Sequence, residues 1–338
     1  MKVLYAGHYM PGCTTHMRGE YLKKILKPEE FRVVDIDFPI AETSPLFRSI
    51  GWRFKSGPLI WNINNYFEKR IKGAGNFDLV WIDKGVFFRP GILEKLKSNS
   101  NTLVHYTPDT AFSLNQSELF YQALPLYDYC ITTKSFEKKF YEESNVNHLL
   151  YCTQGYDPGL HRIYHSFEEK HGIAFVGLYE DSRAEVLAKL LERKLQIRLA
   201  GEGWRSFAHK FRRKENFNYL GEGLFGEAYA RLISGSLIGL GLLAKKFPEL
   251  HTTRTFEIPA CGTALVTERN DETKSFFSDD EAIFFSDIPE LIERVESLMA
   301  HPESLNTISE KGYQRISWGG YDYPSILAGL LKQMDLRG

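Results

Sequence analysis

The chain has 338 residues, 43% of them hydrophobic; that is more than one comfortable core accommodates, so two domains of roughly 150 residues each are expected. A formal charge of -1 and a pI near 6.8 exclude an overall basic field for nucleic acid. Cysteines stand at positions 13, 130, 152 and 261, with neither paired metal-ligand spacing nor a close disulfide framework, which suits a reducing cytoplasm.

The opening run Met1-Lys2-Val3-Leu4-Tyr5-Ala6-Gly7 is apolar, yet it meets His8 and Pro11 too soon for a signal-peptide core and reads as a buried strand over 2–6. Further β-rich runs follow over 31–38, 77–82, 102–106, 129–132 and 147–150, each ahead of a loop or a helix-like segment. Within this half, residues 46–75 set Arg48, Arg53, Lys55, Lys69, Arg70 and Lys72 against one acid, Glu68, among Phe47, Trp52, Phe54, Leu59, Ile60, Trp61 and Phe67. Two readings fit. One is a pair of amphipathic helices with solvated basic faces. The other is a docking surface for an anionic or lipid-linked acceptor, which would bring a cytoplasmic protein peripherally to the inner face of the membrane.

A loop-rich span over 152–172, containing Gly155, Pro158 and Gly159, reads as a linker. The pattern then restarts with a strand over 173–176, a helix over 183–193, strands over 196–200 and 217–220, and a helix over 226–234. Strands over 237–242, 264–267 and 282–285 and a helix over 289–299 complete it. Residues 232–243 form the longest apolar run, but they include three glycines and fall short of the roughly 20 residues of a membrane span, so a soluble protein is expected. Strands alternating with helices predict an α/β chain of two doubly wound, parallel-sheet, Rossmann-like domains facing a cleft, with ligands at the carboxyl ends of the strands.

Several motifs lie at such strand ends. Gly221-Glu222-Gly223-Leu224-Phe225-Gly226 matches G-x-G-x-x-G between a strand and a helix. It belongs to the third strand of its domain, not to a first βα turn, so it reads as flexible backbone near a nucleotide base or as a plain turn. Gly201-Glu202-Gly203 has the same placement and the same two readings. Asp35-Ile36-Asp37 spells the Asp-x-Asp that holds divalent cations in some transferases of another fold. Inside a β-rich run, period 2 puts both side chains on one sheet face, as at an ordinary strand end. Asp279-Asp280-Glu281 reads as a charged turn, and Cys261, between Ala260 and Gly262, as a packed small residue. No His, Cys and carboxylate set has ligand spacing, so no metal is expected. His105-Tyr106-Thr107-Pro108-Asp109 follows a strand: either Pro108 and Asp109 serve the turn, or Asp109 or His105 projects to contact an acceptor hydroxyl or the transferred sugar.

The stretch 249–268 is the richest in chemistry. Thr252, Thr253 and Arg254 lie near the start of a short helix whose free N–H groups and dipole favour an anion, and Arg254 adds a bidentate grip that suits a diphosphate. Glu257, one turn on, would accept from both ribose hydroxyls, and Glu249, before the helix, would contact hexose hydroxyls. The alternative is a helix capped by Thr252 or Thr253 with Arg254 paired to an acid. Pro259-Ala260-Cys261-Gly262-Thr263 then leads through a glycine stop into the apolar run Ala264-Leu265-Val266.

These residues resemble the GT-B glycosyltransferases, specifically the family-4-like group that includes the spore-maturation-protein-B-like proteins. Glu249 and Glu257, with seven residues between them and Ala260-Cys261-Gly262 after, look like the E-x7-E and A-C-G signature of retaining members. Arg254-Thr255-Phe256-Glu257 looks like the R-x-F-E of the spore-maturation branch. Gln154-Gly155-Tyr156-Asp157-Pro158, Phe175-Val176-Gly177 and Ala282-Ile283-Phe284-Phe285 are supporting echoes, and residues 318–334 are similar to the helix that crosses back onto the first domain. One departure lies between the two glutamates, where the group's usual glycines give way to Leu250-His251-Thr252-Thr253-Arg254-Thr255-Phe256.

The resemblance implies an acceptor-binding domain over 1–157, a nucleotide-sugar-binding domain over 158–316 and a crossing-back segment over 317–338. It implies transfer of a sugar from a UDP or GDP sugar to a hydroxyl of a glycan, lipid-linked or small-molecule acceptor in glycan biosynthesis, retaining, metal-independent and without a cofactor. Arg183 stands roughly where the group places a phosphate-binding base. With retention the departing phosphate takes the acceptor proton; with inversion Asp109 or His105 is the candidate base. A sugar-nucleotide epimerase and a non-catalytic nucleotide-sugar-binding protein are the alternatives on the same scaffold.

Overall fold

The apolar run after Met1 becomes β1 (Lys2–Gly7), buried from its second residue onward, and it begins a regular alternation of strand and helix. The computed structural model describes residues 1–113 and 115–336; the last two residues of the expected crossing-back segment lie outside them. In chain order the first half continues with α1 (Thr14–Leu26), β2 (Glu30–Asp35), α2 (Asp37–Glu42), α3 (Pro45–Phe54) and α4 (Pro58–Ile71). There follow β3 (Phe77–Asp83), α5 (Pro90–Ser98), β4 (Ser100–Thr107), α6 (Glu118–Ala123), β5 (Tyr129–Thr132), α7 (Lys138–Glu143) and β6 (Leu149–Tyr151). The second half runs β7 (Ile173–Val176), α8 (Asp181–Glu192), β8 (Ile197–Ala200), α9 (Arg205–Phe211), β9 (Phe217–Tyr219) and α10 (Gly226–Ser234). It closes with β10 (Ile238–Leu240), α11 (Arg254–Ala260), β11 (Ala264–Glu268), α12 (Asp271–Phe276), β12 (Ile283–Phe285), α13 (Ile288–Ala300), α14 (Pro302–Trp318) and α15 (Tyr323–Gln333).

Two units result: residues 1–153 with the segment from Pro324 onward, and Gln154–Tyr323. Each holds one six-stranded sheet, ordered β2-β1-β3-β4-β5-β6 in the first and β12-β11-β10-β7-β8-β9 in the second. Every strand pair is parallel. In each unit the chain winds outward from its first strand and then returns to that strand's other side. The strand order therefore reverses between β1 and β3, and between β7 and β10. Such a reversal point opens a crevice at the carboxyl ends of the strands.

Parallel sheets covered on both faces need strands that are apolar on both sides. In the second unit, Ile173, Phe175, Ile197, Leu199, Leu240 and Val266 pack on one face, while Ala174, Leu265 and Phe284 pack on the other with Phe256 and Ile258 of α11. In the first, β1 and β3 are buried through Leu4, Ala6, Val80 and Ile82. Among the described residues no helix is long and apolar enough to cross a membrane.

The Asp35-Ile36-Asp37 segment departs from expectation. The strand stops at Asp35 and Asp37 opens α2, so the two carboxylates do not share one sheet face. Asp35 Oδ1 accepts the N–H groups of Tyr9 (3.1 Å) and Asp37 (2.9 Å). Asp37 accepts from Tyr9 N–H at 3.1 Å and meets His8 Nδ1 at 2.5 Å. The pair ties the loop after β1 to the loop after β2. Burial pushes Asp35 up; at Asp37 burial is outweighed by His8, which holds that carboxyl below its ordinary value.

Candidate functional site

In the second unit the reversal point collects two arginines. Phe175 in β7 turns its ring toward the strand end, and the guanidinium carbons of Arg183, early in α8, and Arg254, the first residue of α11, each lie 5.9 Å from its centroid. Arg183 donates to the carbonyls of Leu178 (3.1 Å) and Leu242 (3.3 Å). Arg254 donates to Val176 and Leu242, both at 3.4 Å. One carbonyl, that of Leu242 just past β10, therefore serves both cations. Neither has a carboxylate ion-pair partner among the described residues, and both Nε atoms are buried without a hydrogen-bond partner, as is the hydroxyl of Thr252, two residues before Arg254. Burial first, and the Arg254 charge second, pull Arg183 below its ordinary pKa.

Two like charges with unmet donors in a covered position are costly unless an anion joins them. Glu180, Glu249 and Glu268 are near enough to act on Arg183 through their charge, and Glu268 also pairs with Lys245 at 3.3 Å, but each has an oxygen bound to the backbone of the loop after β10. Glu268 accepts the N–H of Leu243, Glu249 that of Ala244 at 3.0 Å, and Glu180 that of Lys245 at 2.6 Å. Together they clamp the loop after β10 and so aim the Leu242 carbonyl at the arginines. Glu249, expected at hexose hydroxyls, is one of these clamps.

Thr252 donates its N–H to Thr255 Oγ1 at 3.1 Å, and Thr253 occupies the cap position of α11 without a side-chain cap bond. Glu257 sits one turn below Arg254 and is only 6% exposed. Its Oε2 accepts from the Tyr229 hydroxyl at 2.8 Å, and its Oε1 lies 3.8 Å from His161 Nε2. Because the Asp157 N–H donates to His161 Nδ1 at 3.0 Å, the proton of that imidazole is on Nε2 and faces the carboxylate. The residue expected to receive ribose is thus the centre of a covered hydrogen-bond cluster that fixes α11.

The glycine loops converge on the same strand ends. Gly201 donates to the Gly221 carbonyl at 2.9 Å, and a Cβ on Gly201 would run into the Gly177 carbonyl oxygen. Trp204 Nε1 donates to that oxygen at 2.8 Å. Gly221 has φ 107 and Gly226, which opens α10, φ 57, a region in which L side chains are strained. Glu222 is exposed and pairs with Arg205 at 2.8 Å, while Gly223 abuts the Phe225 ring. Leu178, Tyr179, Leu220 and Phe225, all beyond β7 or β9, are exposed apolar groups.

In the first unit, one expected residue is placed differently. His105 does not project from its strand end: it is 1% exposed, its ring lies between Phe120 and Tyr127, and its Nε2 faces the Lys84 carbonyl at 3.3 Å. Burial pushes its pKa down to about 4. The side chain points into a sheet face because β4 continues to Thr107, two residues beyond it. Asp109 is half-exposed and bound by Lys84 Nζ at 2.8 Å; burial raises its pKa, but Lys84, with Lys134 and Arg18, outweighs burial and leaves it lowered. A carboxylate held in this way is a weak base.

The sequence reading passed over two groups here. Arg18 of α1 grips Asp83 at the end of β3 through Nε (2.8 Å) and Nη2 (2.9 Å), with the Tyr5 hydroxyl on the same carboxylate at 2.9 Å, all buried. His8, immediately after β1, pairs with Asp37 and stacks on Trp52, with ring centroids 6.4 Å apart. The signal for His8 was its position: a polar residue ending an apolar first strand. Arg18 and Asp83 gave no local signal, being 65 positions apart.

Residues 183–332 match the family model described as glycosyl transferase-like. No curated protein matches the sequence. Among solved structures, sucrose-phosphate synthase from Thermosynechococcus elongatus is similar with a TM-score of 0.70 at 13% identity, over 99% of both chains. HepE from Anabaena, in complex with UDP and glucose, gives 0.67 at 14%, also over 99% of both. A protein assigned as UDP-N-acetylglucosamine 2-epimerase from Listeria monocytogenes gives 0.63 at 12%, covering 100% of this chain and 97% of its own. At these identities the likeness establishes the fold, which is GT-B.

Proposed function

We propose that the chain is a glycosyltransferase that moves a sugar from a nucleoside-diphosphate sugar to an acceptor hydroxyl. The observation that carries this reading is the pair Arg183 and Arg254, which share the Leu242 carbonyl at the reversal point of the second sheet with unpartnered Nε atoms. A diphosphate supplies the missing acceptors and neutralises both charges. As the glycosidic bond breaks, negative charge grows on the departing phosphate oxygen, and two guanidinium groups already in place stabilise it. They provide the charge that a divalent cation provides elsewhere, so the reading is metal-independent. Thr252 and Thr253 line the same approach, and Gly201, Gly221, Glu222 and Gly223, with exposed Leu220 and Phe225, form the rim for the base and ribose. Glu257 acts as a positioning residue for α11.

Retention is favoured by the first unit's chemistry. Asp109 is held ionised by Lys84 and His105 is enclosed, so neither suits a general base, and the departing phosphate is left to take the acceptor proton. The acceptor is a glycan, lipid-linked or small-molecule hydroxyl compound met in the cytoplasm or at the inner membrane face. The match of residues 183–332 to the glycosyl transferase-like model supports the reaction class, and the UDP held by HepE makes UDP sugars the first donors to test. Thermal-shift titration with UDP, GDP and their hexose sugars should raise the melting temperature of the wild type and not of Arg183→Ala. No shift with any nucleotide would refute the proposal. Mass spectrometry of products then separates transfer, which gives a heavier acceptor, from epimerisation, which gives an isomeric donor.

A further inference from the structure

Helix α3 is attached along one side only. Of its ten residues only Gly51 is buried, where a Cβ would stand 2.5 Å from Leu59 Cβ of α4, and Trp52 packs edge-on against Phe87 with ring centroids 4.6 Å apart. Leu46, Phe47, Ile50 and Phe54 recur at the spacing of one helical face. Leu46 is 68% and Phe54 63% exposed, and Trp61, in the first turn of α4, is 57% exposed. Large apolar groups scattered singly over a surface are ordinary; a contiguous stripe of them is not.

The charges on α3 itself and on the segment leading into α4 are of one sign. Between Glu42 and Glu68 the sequence contains Arg48, Arg53 and Lys55 and no acid. Glu68 is itself paired with Lys95 at 2.6 Å, and Lys69, Arg70 and Lys72 follow it. The Arg53 guanidinium lies over the Phe54 ring at 5.5 Å, and Lys55 Nζ over Trp52 at 5.2 Å. Aromatic rings carrying cations on long stems suit a boundary where the ring enters hydrocarbon and the charge stays in water. A second copy of this face would oppose Arg48 and Arg53 to their own kind.

We propose that the exposed face of α3 docks on the surface of a bilayer containing anionic lipids. The helix lies in the plane of the interface, its apolar stripe below the headgroups and its arginines among them. On the functional reading above, this surface brings the first unit to a lipid-linked acceptor.

Vesicle flotation tests it directly. The wild type should float with phosphatidylcholine vesicles in which a third of the lipid is phosphatidylglycerol, and should remain behind with pure phosphatidylcholine or in high salt. Phe47→Ser with Phe54→Ser should weaken binding by about tenfold or more, and Arg48→Glu with Arg53→Glu should abolish it at moderate salt. Absence of wild-type flotation, or flotation undiminished in both pairs, overturns the proposal. So does a wild-type dimer that the phenylalanine substitutions convert to a monomer. UDP thermal shifts on the same preparations keep the questions separate: loss of flotation with the shift intact tells against docking alone, and flotation without any shift tells against the donor reading alone.

Discussion

Replacing Arg254 by alanine tests the anion site where its physics is most explicit. Within the protein the arginine makes two bonds, each 3.4 Å long, to carbonyls, so its loss should change stability by about 1 kcal/mol or less. Removal also relieves the repulsion that depresses Arg183, which offsets part of that. On the proposed function the balance with donor bound is different: the guanidinium faces a phosphate whose charge increases in the transition state. Losing such a preorganised donor costs about 3 to 4 kcal/mol, a hundredfold to thousandfold in kcat. The assay is release of UDP, or of whichever nucleotide the titration selects, alongside a thermal melt. Arg254→Lys should recover only part of the rate, because a point charge cannot reproduce the two-pronged contact. The double variant with Arg183→Ala should fall well short of the product of the single losses, since both grip one diphosphate. Wild-type turnover in Arg254→Ala would refute the assignment. A collapse of the melting temperature would instead make Arg254 a structural strut and refute it by another route.

Two further outcomes follow from buried groups. His105 titrates near 4 in the folded protein against 6.5 when exposed, so the unfolded chain binds the extra proton and stability falls as pH drops through 6.5 toward 4. Between pH 7.5 and pH 5 this amounts to about 2 kcal/mol, which His105→Phe should remove while leaving turnover unchanged; an unaltered pH dependence of the melt in that variant would refute the burial argument. Asp83→Asn strands the Arg18 charge in the interior and should cost about 3 to 5 kcal/mol by denaturant titration. Arg18→Met combined with Asp83→Leu should recover most of it, and a double variant no more stable than Asp83→Asn would show that the pair does more than neutralise itself.

Strand and helix positions were legible because both sheets are covered on both faces, and continuous apolar runs such as Ile173–Val176 or Tyr129–Thr132 have few other uses. Helix α10 over Gly226–Ser234 and strand β7 were readable to the residue, each beginning or ending at a glycine. The failures share one cause: burial direction is a tertiary property. His105 lies two residues before the end of β4, and a strand two residues shorter would have exposed it. The Asp35 to Asp37 segment turned at a strand end that alternation alone does not locate. The start of α11 at Arg254 is legible from the Thr252-Thr253 pair before it, whereas the contacts of Glu257 with Tyr229 and His161 join positions far apart in the sequence and have no local signal.

The most informative comparison lies inside the chain itself. Both sheets reverse at their first strand, and both place an arginine from the following helix at that point, Arg18 in α1 and Arg183 in α8. In the first unit the strand across the reversal, β3, ends in Asp83, and the arginine is neutralised bidentately. In the second, the strand across the reversal is β10, and beyond it the residue meeting the arginine offers only the Leu242 carbonyl, with Arg254 brought in as a second cation. One topology thus yields a closed charge pair in one unit and an open cationic pair in the other. The fold supplies the crevice in both, but only the second lacks a carboxylate gripping its arginine among the described residues, and on the proposed function a donor bound through its diphosphate belongs there and not at Arg18.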